Sequence, residues 1–216
     1  MTQIMETHRI AFYTIIAASL LFAAILYPIA PETVPVHWNI AGEPDAWSDA
    51  HIGILSIPII IIATGLVLSL LSRVFGSGDT KTRRAFGWFI TLVLALLLGI
   101  QVFAGLWALG HPPPVEFYLP ILFALFYLGI SILLPRLRKQ NKLAGIRTPW
   151  TMKSEVVWTR THLKGRRVFQ VAAGITLIGA FYPEYLLLFV IASAIGALIW
   201  LVLVSYLEFK KLGEIP

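Results

Sequence analysis

Residues 141–167 read NKLAGIRTPWTMKSEVVWTRTHLKGRR, the one long polar stretch in an otherwise mostly apolar chain. The stretch is rich in Lys and Arg. It also holds Trp150, Trp158 and a Gly145-Ile-Arg-Thr-Pro-Trp-Thr151 run that a merely solvated connector does not need. Bases with embedded tryptophan suit a surface that lies against lipid headgroups or holds a partner. On both sides lie apolar runs near the roughly 20 residues that span a bilayer. The expected fold is therefore all-α: a polytopic integral membrane protein with this stretch as its cytoplasmic working face.

Composition points the same way. Hydrophobic residues make up 58% of the 216 and charged ones 13%, where an ordinary soluble domain has about 25% charged. The net charge of +6 is carried by bases in loops between apolar runs. That favours the anionic inner leaflet as partner over nucleic acid, for which the chain has no recognisable module. There is no cysteine, hence no disulfide, thiolate metal site or Cys nucleophile. No cofactor is expected.

Six spans emerge, at about 10–27, 52–71, 86–109, 117–134, 168–182 and 186–206, each apolar all round. The first exceeds the usual 7–15 residues of a secretory signal core. No convincing cleavage site follows it at Pro28-Ile-Ala-Pro31, so it reads as a retained helix. The fifth is the shortest. Its 15 or so residues rise only about 22 Å, and Arg166 and Arg167 can extend it by snorkelling.

Six spans sort the charges cleanly. Arg9, the four bases of 72–85, the ten bases of 135–167, Lys210 and Lys211 fall on one side and include every Lys and Arg. Glu32, Glu43, Asp45, Asp49, Glu116 and Glu184 stand on the other side without a base. The positive-inside rule then sets both termini in the cytoplasm of an inner-membrane protein. The chain reads as one membrane domain, 1–216. Four helices and an outer loop, 28–51, make up 1–134; the inner loop, 135–167, and a helix hairpin make up the rest.

No Asp, Glu, Lys, Arg or His falls inside the six spans, which argues against proton-coupled transport. Gln101 and Gln170 are the largest polar groups there and read as helix-to-helix hydrogen bonds. Ala192 with Gly196, and Gly174 with Gly179, are small residues that could let helices approach closely.

The outer loop holds Pro28, Pro31, Pro35 and Pro44, which disfavour regular helix or central strand. A turn is expected at Ala-Gly-Glu-Pro, 41–44. Trp38 and Trp47 are placed at headgroup level or folded back over the helix ends. His37, Asp45, His51 and His111 are the candidate ligands if this face holds a divalent metal, although their spacing matches no tight motif. The alternatives are a structured cap, with His37 and Asp45 bonded to loop backbone, or an acidic surface for something cationic or amphipathic.

In the inner loop, Pro149 pushes Thr148 to an extended conformation. Thr151 is the expected N-cap of a helix over about 152–163. Met152, Val156, Thr159 and Leu163 then share one face of an amphipathic helix in the inner interface.

Both loops resemble a known family. Val34-Pro-Val-His-Trp-Asn39, Gly42-Glu-Pro-Asp45 and Trp47 resemble the DUF1648 signature. Asn141, Gly145-Ile-Arg-Thr-Pro-Trp-Thr151, Glu155, Val157-Trp158, Thr161-His162 and Gly165 resemble the SdpI family signature. The resemblance implies a membrane immunity protein against a secreted peptide toxin, which can also signal by holding a cytoplasmic repressor at the membrane. It implies an outer motif of His37, Trp38, Asn39, Gly42, Asp45 and Trp47. The inner motif would be Asn141, Gly145, Arg147, Thr148, Pro149, Trp150, Thr151, Trp158 and His162. A metal-dependent membrane enzyme with an outer-face site and a transporter or flippase for lipid-like molecules are the alternative readings.

Overall fold

The computed structural model describes residues 3–39, 42–75 and 80–213. The elements run α1 (Gln3–Leu26), β1 (Thr33–Trp38), β2 (Pro44–Asp49), α2 (Ala50–Phe75), α3 (Thr80–Ala108), α4 (Val115–Leu133), α5 (Pro149–Lys153), α6 (Glu155–Ile178) and α7 (Leu186–Lys211). Five helices, α1 to α4 and α7, are long and apolar enough to cross a membrane. Their flanks carry bare Leu21, Ile59, Leu66, Leu125 and Ile199, each about half exposed or more. An exposed apolar surface of that extent belongs in lipid, not in water. The protein is a helical, polytopic membrane protein.

The helices form two groups. α1, α2 and α3 pack on one another around Ile61, Phe86, Ile90 and Leu94. α4, α6 and α7 pack around Tyr127, Trp158, Phe169 and Leu201. α3 and α4 join the groups. Within the first, Ser19 Oγ donates to Gln101 Oε1 at 2.6 Å and Gln101 Nε2 donates to the Ser19 carbonyl at 3.0 Å. Gln101 is thus the helix-to-helix hydrogen bond expected of it, whereas Gln170 is exposed.

Two departures from the expectations have plain causes. The fifth span and the interfacial helix are one helix, α6, whose 24 residues rise about 36 Å. Ser154, at φ −135°, breaks the chain after α5 and caps α6, its Oγ accepting from the Val157 N–H at 3.4 Å. Thr148, not Thr151, is the first cap, and it starts only the short α5. The polar first half of α6 keeps it from the composition of the other five helices. The face of Met152, Val156 and Leu163 points outward, while Val157, Trp158, Thr161, His162 and Gly165 point into the bundle.

The second departure concerns Gly174, Ala192 and Gly196; Gly179 does make the close approach expected of it, to Phe189 of α7. A Cβ on Gly174 or Gly196 would meet nothing within 4 Å. Ala192 and Gly196 instead open an apolar groove of about 670 Å³ between α6 and α7. The other close approaches use Gly165, against Leu134 just after α4, and Gly129, against Leu92 of α3.

Candidate functional site: an outer hairpin and a buried inner motif

The outer loop is a two-stranded antiparallel hairpin, with Thr33 paired to Asp49 and Pro35 to Trp47. Both strands are edges, so the prolines are tolerated. Of the expected turn at 41–44, Ala41 lies outside the described residues. Gly42 has φ +78°, a left-handed conformation that glycine adopts at no steric cost. Its N–H donates to the Asn39 carbonyl at 2.9 Å, and Asn39 Oδ1 accepts from the Glu43 N–H at 3.1 Å. Asn39 and Gly42 therefore build the turn.

Val34 anchors the hairpin, 2% exposed and against Gly53 of α2. Trp38 anchors it too, folding back over the end of α3 with its ring 5.2 Å from Phe103 and 6.4 Å from Trp107. Trp47 remains 59% exposed.

His37 and Asp45 face each other across the strands, Nδ1 to Oδ1 at 2.5 Å, on the exposed side. They bond to each other rather than to loop backbone. Among the described residues no three of His, Asp and Glu gather as a metal site, so His51 and His111 do not complete a ligand set with this pair. What the hairpin presents is an acidic rim and a bare indole.

The inner motif is the reverse, a set of polar groups turned inward. Asn141 Oδ1 accepts from the N–H groups of Leu143 and Ala144 at 2.9 and 2.8 Å, starting the turn. Gly145 follows at φ +112°, its Cα against the rings of His162 and Trp158. His162 Nδ1–H donates to the Trp158 carbonyl at 2.7 Å, and Nε2 accepts from the Ile146 N–H at 3.0 Å. That backbone donor requires an unprotonated Nε2, so the imidazole is neutral. Burial pushes its pKa down to about 4, against a smaller upward pull from the Trp158 carbonyl.

Trp158, fully buried, stacks on His162 at 4.1 Å and donates from Nε1 to the Leu137 carbonyl at 2.6 Å. Thr148 and Thr151 close the far side as a capping box. Thr151 Oγ1 also donates to the Ile146 carbonyl at 2.7 Å, and Thr148 Oγ1 donates to Ser205 of α7 at 2.9 Å. Pro149 takes the first turn of α5, where its missing N–H costs nothing. Trp150 packs edge-on to Tyr206 at 5.2 Å. Arg147 alone of the nine points outward as a charge.

Several participants were not singled out from the sequence. Gln140 Nε2 donates to the Thr151 carbonyl at 2.6 Å. Glu208 of α7 is 3% exposed, bonds Lys164 at 2.5 Å, and has Arg160 at 3.4 Å and Lys211 at 3.5 Å. An acid three residues before Lys211, at the end of a long apolar run, was the available signal for it.

Helices built for lipid, with one motif exposed at the acidic end and another locked inside the basic end, define a non-soluble scaffold with two specialised faces. The comparisons make it particular. Residues 14–62 match a domain of unknown function, DUF1648, and residues 138–206 match the SdpI/YfhL protein family. Over 202 residues, 92% of this chain and 94% of the relative, it is 29% identical to the immunity protein SdpI of Bacillus subtilis (strain 168). The chain is thus similar to the SdpI/YfhL family over 138–206, about a third of its length, and to an immunity protein over nearly all of it. No solved structure matches it.

Proposed function

We propose that this chain is an immunity protein of the cytoplasmic membrane that protects the cell carrying it from a secreted peptide toxin. The observation that carries the reading is the end-to-end relatedness to an immunity protein, with both family motifs in order. In this reading α6 is the sixth crossing and both termini are cytoplasmic, which keeps every base on one side. The hairpin, with Glu32, Glu43, Asp45 and Asp49 around exposed Trp47, meets a cationic, amphipathic toxin from outside. Carboxylates steer such a peptide and an indole gives it apolar contact. The basic face engages anionic lipid or a cytoplasmic repressor, the latter as the signalling arm.

The test is expression in a toxin-sensitive strain followed by challenge with the peptide. Cells with the inserted protein should survive. A Trp47→Ala, Asp45→Asn double variant should lose most of that protection at equal membrane abundance, because it removes hairpin surface and little packing. Full sensitivity with insertion verified would overturn the reading.

A further inference from the structure

The buried inner motif raises a question of purpose, since nearly all its polar groups are satisfied by one another. What it offers outward is the wall formed by Leu143, Ala144, Gly145 and Arg147. That wall closes a chamber of about 590 Å³ at the basic end of the bundle. The volume lies within the roughly 300–1,000 Å³ of ligand sites. The remaining lining is almost wholly apolar: Leu71 of α2, Phe86 and Phe89 of α3, Ile130 of α4 and Leu134 beyond it. Arg147 stands among these residues, exposed, and no ion pair engages it among the described residues. Its backbone is held in place by the Ile146 bonds to His162 and Thr151.

We infer that this chamber is a binding site for an anionic amphiphile, with an apolar chain between α2, α3 and α4 and a phosphate or carboxylate head on the Arg147 guanidinium. Charge and greasiness select the occupant. An apolar chamber with one guanidinium at its wall, on a turn whose backbone is hydrogen-bonded, matches a molecule with one negative end and one hydrocarbon end, and guanidinium matches phosphate and carboxylate geometry. The inner leaflet supplies such molecules as anionic phospholipids; a single-chain phosphate or fatty acid has the same chemistry. The walls come from both helix groups, so the occupant would pin the α1–α3 group to the inner motif. This deepens the proposed role of the basic face and rests on that reading for its orientation.

The experiment is native mass spectrometry of the full-length, delipidated protein in detergent, titrated with phosphatidylglycerol or phosphatidylcholine. One equivalent of phosphatidylglycerol should bind at least ten-fold more tightly than phosphatidylcholine. Arg147→Gln should remove that preference. Ala144→Phe and Ile130→Trp, which fill the chamber from opposite walls, should each lower occupancy at least five-fold, and either variant suffices provided its melting temperature is near wild type. Displacement by dodecyl phosphate assigns the site to single-chain amphiphiles; retention against it assigns the site to two-chain phospholipid. Equal binding of the two phospholipids, or a folded chamber-filling variant that keeps the preference, overturns the inference. No toxin enters this measurement, so its failure leaves the immunity reading standing, and the toxin challenge fails or succeeds independently of it.

Discussion

Gly145 and His162 show how much of the inner motif is decided by single residues. At φ +112°, with the imidazole against its Cα, Gly145 has neither the backbone conformation nor the space for a side chain. Gly145→Ala should destabilise the protein by about 1–3 kcal/mol. Gly174→Ala, where a Cβ meets nothing, should be neutral or slightly stabilising. Thermal unfolding in detergent compares the two directly. His162 carries a pH dependence whose sign follows from its depressed pKa of about 4, against 6.5 in the unfolded chain. The unfolded state binds the proton more readily. The stability from the neutral ring is therefore complete above about pH 6.5 and lost as pH falls toward 4, by up to about 3 kcal/mol. Melting temperature should drop between pH 7.5 and 4.5 in wild type and change less in His162→Gln, which does not titrate. The sequence marked both residues through the motif. It did not reveal that they touch, because their contact spans 17 positions and depends on a turn meeting a helix.

At the scale of elements, α6 holds the basic end together. Its first half carries Trp158 and His162 inward, and Arg160 and Lys164 toward Glu208 of α7. Charge-assisted hydrogen bonds of this kind contribute about 1.5–3 kcal/mol each when formed by buried partners, and less here because the cations stay half exposed. Glu208→Ala should lower stability by about 1–2 kcal/mol, and Glu208→Gln by less, since the amide still accepts a hydrogen bond. A chemical denaturation series of the three proteins ranks them. Hydropathy located five helices, with their ends placed to within seven residues. It split α6 in two because a helix half in polar surroundings and half in lipid changes composition midway, while its backbone hydrogen bonds continue. The hairpin was invisible for a related reason. Four prolines and few alternating apolar residues give no strand pattern, and the strands exist because Val34 and Trp38 find α2 and α3 to pack on.

Across the whole molecule, the sorting of charge is the property to test. The chain lacks cysteine, so single cysteines can be introduced at exposed Trp47 and Lys142. With a membrane-impermeant thiol reagent on intact cells, Trp47→Cys should label at once and Lys142→Cys only after permeabilisation. The opposite result would invert the faces and remove the roles assigned to them. α2 and α3 run from the anchored hairpin at one end to the chamber at the other, the physical connection any communication between the two ends would use.

The sequence by itself determined that this chain lives in a bilayer, how its charges are distributed and which two loops carry motifs. Those follow from composition and spacing, which are local and additive along the chain. Only the tertiary structure decided what the motif residues do. It turned most of the inner motif into a buried scaffold for one outward arginine, paired His37 with Asp45 with no third ligand beside them among the described residues, and gave Glu208 its three cations. Such outcomes depend on which distant segments meet, and that is settled by packing between helices rather than by any stretch read alone.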